Sequence, residues 1–359
     1  MKYNVGWGLT NVCNMNCEFC YSKETRRITD ELKIEDWKKF IDENYDNIES
    51  INYGTGENVI LDEFFYFVDY VRTNYPLITQ SLTTNGYLYE RVKNNSEFYD
   101  IYKRSIDEVD VSLDFIDEKK HSKFRGQPKA YNWAINTLNM LKKDNKKATI
   151  VFVGFNETMT KENIDSLFEV AKRYNALLRL NIYRPVSENK EINERFILDY
   201  KVLKAMLEYI GNNYKIVSLS DVLLGNIYCN DLNIKENTGI DSIRILPNGD
   251  ICPSTYLIDE TYRKKYNIKD KNILSKIRFD EFIEAKIPLE CDNCIIKEKC
   301  RGGVFDRRIL WNKTLDKRDP YCPFENNDDL NKPKFKILKK DRVSVHDGYL
   351  PTMFFTNWN

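Results

Sequence analysis

The sequence has few histidines and no excess of positive or negative charge. Each of these facts argues against one class of site or partner. It contains two histidines, and the one nearest to the first cysteines is His121, so nitrogen ligands for zinc are scarce there. The 55 lysines and arginines equal the 55 aspartates and glutamates in number. Proteins that bind a polyanion usually have a basic excess, so we expect no nucleic-acid partner.

Long apolar runs are also missing. No stretch approaches the ~20 apolar residues that cross a bilayer, and residues 1–10 lack the layout of a signal peptide. We therefore expect a cytoplasmic protein with no membrane partner. In a reducing cytosol, its nine cysteines suit metal binding better than disulfides.

Three of the nine cysteines stand close together near the start of the chain. Cys13, Cys17 and Cys20 have the spacing C-x3-C-x2-C. Three thiolates can hold one [4Fe–4S] cluster and leave its fourth iron open to a substrate or cofactor. The alternatives are three reactive thiols or zinc, but structural zinc takes four ligands, usually as two close pairs. The spacing favours the cluster.

Strand and helix patterns alternate through the first part of the chain. Six segments have the pattern of strands: 2–10, 50–53, 80–84, 108–114, 149–154 and 177–183. Apolar residues at helical spacing mark segments 33–43, 62–74, 130–141, 161–175 and 199–213. Repeated strand–helix units predict an α/β fold with a parallel sheet and helices outside it.

The cysteine spacing, with aromatic Phe19 before the last cysteine, resembles the radical S-adenosylmethionine (SAM) superfamily. The resemblance implies a partial (β/α)6 barrel and two cofactors: SAM and a [4Fe–4S] cluster whose open iron chelates it. It also implies an electron donor such as flavodoxin or ferredoxin, reductive cleavage of SAM, and hydrogen abstraction by a 5′-deoxyadenosyl radical. In such enzymes the protein positions the cofactor and excludes water.

Further motifs stand at the carboxyl ends of the predicted strands, where parallel barrels carry their functional loops. Gly54-Thr55-Gly56-Glu57 resembles the family's Gly-Gly-Glu motif with Thr55 inserted. The glycines would let the backbone approach SAM, and Glu57 would accept hydrogen bonds from its amino group. A simple glycine turn is the alternative.

Polar residues after the third and fourth strands complete the implied SAM site. Asn85 lies in a Thr-Asn-Gly segment like that of the family, although Asn-Gly also marks ordinary turns. The resemblance places Ser112 and Arg125 at the ribose and carboxylate of SAM, and an arginine fork suits a carboxylate. An exposed arginine is otherwise only solvated. We expect His121 to be structural and the following residues to face the same end: Asn156, Arg179 and Asn181.

A second group of cysteines lies in the last third of the chain: Cys291, Cys294, Cys300 and Cys322. Four thiolates can saturate an auxiliary [4Fe–4S] cluster, which suits electron transfer, or can bind zinc. Together with the hairpin at 243–251, this spacing resembles the SPASM extension of radical SAM enzymes over roughly residues 225–325. The resemblance implies a small α+β domain with an outer auxiliary cluster.

Two departures from the SPASM pattern concern its inner auxiliary cluster. Val304 and Ser254 stand where the pattern has cysteines. Only Cys229 and Cys252 are left as ligands, so we expect this cluster to be absent. The two cysteines are then either buried small apolar side chains or catalytic, with one donating hydrogen to a substrate radical.

We expect three parts: a barrel at 1–215, a SPASM-like domain at 216–325 and a tail at 326–359. The tail ends in the apolar, aromatic segment 349–358, which should brace the barrel or cover the substrate opening. Because the barrel begins almost at Met1, a leader peptide would bind the barrel, the extension or a separate leader-recognition protein.

The combined resemblance implies an enzyme that modifies a ribosomally synthesised precursor peptide by crosslinking, epimerisation or backbone excision such as tyramine removal. Segments 6–11 and 253–257 resemble maturases of Nif11-type and nitrile-hydratase-like leader peptides, including splicease-like enzymes. One alternative is an anaerobic sulfatase-maturating enzyme, which forms formylglycine, but Thr255 stands where those enzymes have an aspartate base. The other is an iron–sulfur electron carrier or scaffold that cleaves no SAM.

Overall fold

A computed structural model describes residues 2–27, 30–229, 234–338 and 342–356. Its centre is an open sheet with the strand order β7-β10-β6-β5-β4-β3-β2-β1-β8-β9. The ten strands are Tyr3–Trp7 (β1), Ile48–Tyr53 (β2), Thr79–Thr84 (β3), Glu108–Ser112 (β4), Lys147–Gly154 (β5), Ala176–Ile182 (β6), Lys215–Leu219 (β7), Ser242–Ile245 (β8), Ile251–Cys252 (β9) and Met353–Thr356 (β10).

The six predicted strands are confirmed as β1 to β6, and each pairs in parallel with the next. Their apolar side chains are buried, as is typical of a parallel sheet covered by helices. Side chains of β1 alternate between its two faces. Trp7 packs edge-on against Phe40 at 5.2 Å and Phe67 at 5.4 Å, measured between ring centroids, on the helical side. Gly6 and Gly8 therefore face the inside of the curved sheet.

Helices that follow the parallel strands cover the outer face of the sheet, and further helices lie in the segment after β7. Their bounds are Ile34–Asn44 (α1), Asp62–Asn74 (α2), Leu88–Val92 (α3), Ser96–Ser105 (α4), Glu118–Phe124 (α5), Ala130–Lys143 (α6), Lys161–Tyr174 (α7), Lys190–Phe196 (α8), Tyr200–Asn213 (α9), Val222–Tyr228 (α10), Glu260–Arg263 (α11), Asp280–Ile283 (α12), Lys297–Cys300 (α13) and Phe305–Asn312 (α14). The five predicted helices correspond to α1, α2, α6, α7 and α9. In the described part of the chain, no helix is long and apolar enough to cross a membrane.

The sheet extends beyond the six predicted strands at both edges. On one side β10 lies antiparallel between β6 and β7, so residues of the tail form part of the sheet. Trp358, which was part of the predicted apolar ending, lies outside the described residues. On the other side, β8 pairs in parallel with β1 and forms the predicted hairpin with β9. The cysteine-rich segment is thus joined to the barrel through main-chain hydrogen bonds.

Candidate active site

The first three cysteines lie in the loop after β1, and polar groups surround their sulfur atoms. The side-chain amide of Asn85 lies 3.8 Å from Cys13 Sγ, and the Cys17 thiol donates to the backbone oxygen of Arg125 at 3.4 Å. Cys20 Sγ lies 3.2 Å from the hydroxyl of Ser22 and 3.8 Å from the guanidinium of Arg26. Asn85, Ser22 and Arg26 can donate hydrogen bonds to these sulfur atoms, which is a recognised means of tuning an iron–sulfur cluster.

The chemistry of this donor set fits a [4Fe–4S] cluster. Burial raises the pKa of Cys13 to about 11 and that of Cys17 to about 12, so metal binding must displace their protons. Among the described residues, no three histidine, cysteine, aspartate or glutamate side chains converge as ligands of one metal ion do. In a [4Fe–4S] cluster each thiolate binds a different iron atom, so the three sulfur atoms need not converge as closely as the ligands of a single metal ion do.

Arg125 is held rigidly beside this loop. Its Nε and Nη2 atoms each lie 2.7 Å from Asp114 Oδ2, and its guanidinium lies 5.1 Å from the centre of the Phe19 ring. Phe19 in turn stacks on Phe124 at 4.3 Å between ring centroids. Nδ1 of the fully buried His121 accepts a hydrogen bond from the backbone N–H of Asp114 at 3.2 Å. His121 thus helps to position the aspartate that holds Arg125.

The Gly54–Glu57 segment follows β2, and hydrogen bonds of Glu57 link it to the end of β3. Gly56 has a φ of +63°, and a Cβ atom there would lie 2.4 Å from the backbone oxygen of Thr10, so only glycine fits. Glu57 is buried and accepts hydrogen bonds from the Thr84 hydroxyl and the Asn85 backbone N–H, both at 2.7 Å. Burial raises the pKa of Glu57 to about 7, against the lowering effect of these hydrogen bonds.

The inner face of the sheet encloses a cavity of about 150 Å³ at the cysteine loop. The predicted site residues that line it are Cys17, Phe19, Cys20, Gly54, Ser112 and Arg125, together with Arg179 and Asn181. Four predicted residues do not line the cavity: Cys13, Gly56, Glu57 and Asn85. A hydrogen bond connects Glu57 to Asn85, and Asn85 contacts Cys13. Glu57 and Asn85 therefore support the cysteine loop from outside the cavity. Asn156 also lies away from the cavity, where its side chain bonds to Asp199.

The opposite wall of the cavity was predicted only in part, as a tail that braces the barrel or covers the substrate opening. It is formed by β8, the segment after β9 and the tail, through Arg244, Thr255, Tyr256, His346, Tyr349 and Leu350. A Cβ at Gly6 would lie 1.7 Å from the Tyr349 hydroxyl oxygen, and a Cβ at Gly8 would lie 3.0 Å from Arg244 Nη2. The Gly-x-Gly pattern of Gly6 and Gly8, at the end of β1, was the available signal, because glycine in or beside a strand often marks a close approach by another group.

The second group of cysteines also comes together. Cys291, Cys294, Cys300 and Cys322 line one small cavity of about 20 Å³. The loop that carries Cys322 is fixed by Asp319, which accepts hydrogen bonds from the backbone N–H groups of Val304 and Tyr321 at 3.0 Å. The Asp319 carboxylate also accepts from Arg307 Nε at 2.8 Å, and Arg307 Nη2 donates to Asp221 at 3.0 Å. Four thiols around one cavity fit an auxiliary cluster.

The two remaining cysteines lie apart from both groups. Cys229 and Cys252 are buried, and neither lines either of the two cavities. Cys252 is paired with Arg244 across the β8–β9 hairpin. The hydrogen-donor role of these cysteines therefore stays a prediction, with no contact to the cavity in its support.

Comparison with known proteins gives matches that agree with this geometry. Residues 7–170 match the family model described as the Radical SAM superfamily. The antilisterial bacteriocin subtilosin biosynthesis protein AlbA of Bacillus subtilis (strain 168) is 25% identical over 341 residues, which cover 92% of this chain and 72% of that protein.

Solved structures share the fold. Streptococcus suis SuiB bound to S-adenosylmethionine superposes with a TM-score of 0.68 and 19% identity, covering 89% of this chain and 76% of SuiB. SuiB bound to the precursor peptide SuiA gives a TM-score of 0.66 with 18% identity, covering 89% and 75%. Native anSMEcpe with bound AdoMet and the Cp18Cys peptide gives a TM-score of 0.69 with 19% identity, covering 90% and 94%.

Proposed function

We propose that this chain, which carries a radical SAM domain at residues 7–170, cleaves SAM reductively to modify a ribosomally synthesised peptide. The observation that carries the proposal is that Cys17, Cys20 and Arg125 line one cavity inside the sheet. The bacteriocin biosynthesis role in the name of AlbA and the peptides bound to SuiB and anSMEcpe support a peptide substrate. A bound peptide would enter the same cavity, between the cysteine loop and the wall formed by the tail.

Each residue of the site has a proposed task. Cys13, Cys17 and Cys20 would hold the cluster, which together with SAM supplies one-electron cleavage and hydrogen abstraction. Arg125, oriented by Asp114, presents its free edge to a carboxylate. Ser112, Phe19 and Gly54 line the same cavity. The apolar rings around Arg125 exclude water from the site.

The rest of the chain completes the proposal. Residues 216–325 would form a SPASM-like domain whose four cysteines hold an auxiliary [4Fe–4S] cluster, and their common cavity supports this. Residues 1–215 would be the barrel and 326–359 the tail. Reduction of the clusters calls for a donor such as flavodoxin or ferredoxin, and oxygen-sensitive clusters suit a cytoplasmic location. Crosslinking, epimerisation and backbone excision are the candidate reactions.

Anaerobic reconstitution tests the proposal directly. The chain is loaded with iron and sulfide, reduced in the presence of SAM, and assayed for 5′-deoxyadenosine by mass spectrometry. We expect product from the wild type and none from Cys17→Ala, while Arg104→Gln, an exposed change far from the cysteines in sequence, keeps full activity. A fully loaded wild type that forms no 5′-deoxyadenosine, with or without candidate peptides, would instead favour the electron carrier. Precursor peptides are then screened by mass shift.

A further inference from the structure

Four arginines line the active-site cavity, and one of them differs from the others because no aspartate or glutamate is paired with it among the described residues. Three are paired with a buried aspartate: Arg125 with Asp114 at 2.7 Å, Arg179 with Asp110 at 3.0 Å, and Arg184 with Asp306 at 2.8 Å. Arg244 has no carboxylate partner anywhere in the described part of the chain. It is therefore the one cavity arginine whose positive charge the described residues leave unbalanced.

The surroundings of Arg244 hold its guanidinium in place without neutralising it. The side chain is 1% exposed. Nη1 lies 3.4 Å from the Tyr349 hydroxyl, while Nε and Nη2 have no hydrogen-bond partner among the described residues. The Tyr349 hydroxyl is itself fixed by a very short contact to the Thr255 hydroxyl. The absence of a side chain at Gly8 leaves the space that Nη2 occupies.

A buried guanidinium without a counter-ion is strongly unfavourable, and arginine does not escape the cost by losing its proton. A chain that has no use for the charge would gain stability from an apolar side chain of similar size. The two unpartnered N–H groups are Nε and Nη2, which lie on one edge of the planar fork. That edge matches the two oxygens of a carboxylate through parallel hydrogen bonds.

We propose that Arg244 binds a carboxylate group of the peptide substrate. This inference rests on the proposed function, because it assigns the substrate class to the same cavity. SAM is not the expected source of the carboxylate, since the proposed function assigns the carboxylate of SAM to Arg125, which follows β4, whereas Arg244 lies on β8. The carboxylate belongs either to an aspartate or glutamate side chain or to the C-terminus of the peptide.

Small probes test the inference on the reconstituted enzyme before any peptide is known. N-acetyl-aspartate N-methylamide presents a side-chain carboxylate, N-acetyl-alanine presents a terminal one, and N-acetyl-asparagine N-methylamide is the neutral control. Each probe is added in increasing concentration, and its dissociation constant is obtained from the rise in the midpoint of thermal unfolding of the enzyme. We expect one acidic probe to raise the midpoint of the wild type and the neutral control to leave it unchanged, and the acidic probe that binds identifies the source.

The matched variants are Arg244→Met, Arg244→Lys and the surface control Arg104→Gln. Arg244→Met should weaken the acidic probe about 10- to 100-fold, which is the loss expected for charged hydrogen bonds. Arg244→Lys should keep part of the binding, and Arg104→Gln all of it. A structural arginine would lower the midpoint of the unliganded protein when replaced, whereas we expect Arg244→Met not to lower it.

SAM cleavage separates this inference from the proposed function. Both Arg244 variants should still bind and cleave SAM, and the surface control Arg104→Gln should form 5′-deoxyadenosine at the wild-type level without peptide. If the Arg244 variants lose SAM cleavage while the wild type retains it, Arg244 serves the cofactor and the inference is wrong. Equal binding of the acidic and neutral probes by the wild type would overturn it too. A wild type that cleaves no SAM would instead count against the proposed function.

Discussion

At the scale of single residues, Glu57 shows how burial changes the chemistry of a side chain. Burial raises its pKa from 4.5 to about 7, so between these values the folded chain keeps a proton that the unfolded chain has lost. The free energy of unfolding therefore falls as pH rises through this window, by up to about 3 kcal/mol, and is constant above it. We expect Glu57→Gln to remove this dependence.

Infrared spectroscopy measures the titration of Glu57 directly. The difference spectrum between the wild type and Glu57→Gln should contain the band of a protonated carboxyl group below pH 7, and this band should disappear as pH rises. Glu63→Gln, which changes an exposed residue of α2, is the control and should leave the Glu57 band unchanged. A band that is lost near pH 4.5 would contradict the prediction, because it would show that the hydrogen bonds to Glu57 fully offset its burial.

At the scale of elements, β10 links the tail to the barrel. Phe355 is 1% exposed and pairs with Leu178 of β6 and Ile216 of β7. Truncation of a buried phenylalanine typically costs about 3–5 kcal/mol. We expect Phe355→Ala to lower the free energy of unfolding by this amount and Phe355→Leu to cost much less, as measured by urea denaturation. A loss below about 1 kcal/mol for Phe355→Ala would mean that β10 is not docked between its neighbours.

At the scale of the whole molecule, local patterns were enough to predict the six parallel strands and their helices but not the residues of the opposite wall of the cavity. The bounds of α2 match the predicted helix at 62–74. The apolar residues at helical spacing and the residues that flank them indicate the same limits. Strand β10 escaped prediction because its four residues pair with strands more than 130 positions earlier in the chain. The pairing of Arg179 with Asp110, and the lack of a partner for Arg244, likewise depend on tertiary contacts that no local pattern records.

The two groups of cysteines give a prediction at the same scale, because Cys17 and Cys20 of the first group line one cavity, the second group lines another, and the two groups should bind iron independently. The reconstituted wild type should contain about eight irons per chain, and Cys294→Ser about four, if each group holds one [4Fe–4S] cluster. Cys294→Ser should still form 5′-deoxyadenosine, since the first three cysteines are unchanged. Cys229→Ser is the control and should keep all its iron, because Cys229 lines neither cavity. About twelve irons in the wild type, with a loss in Cys229→Ser, would instead reveal an inner auxiliary cluster.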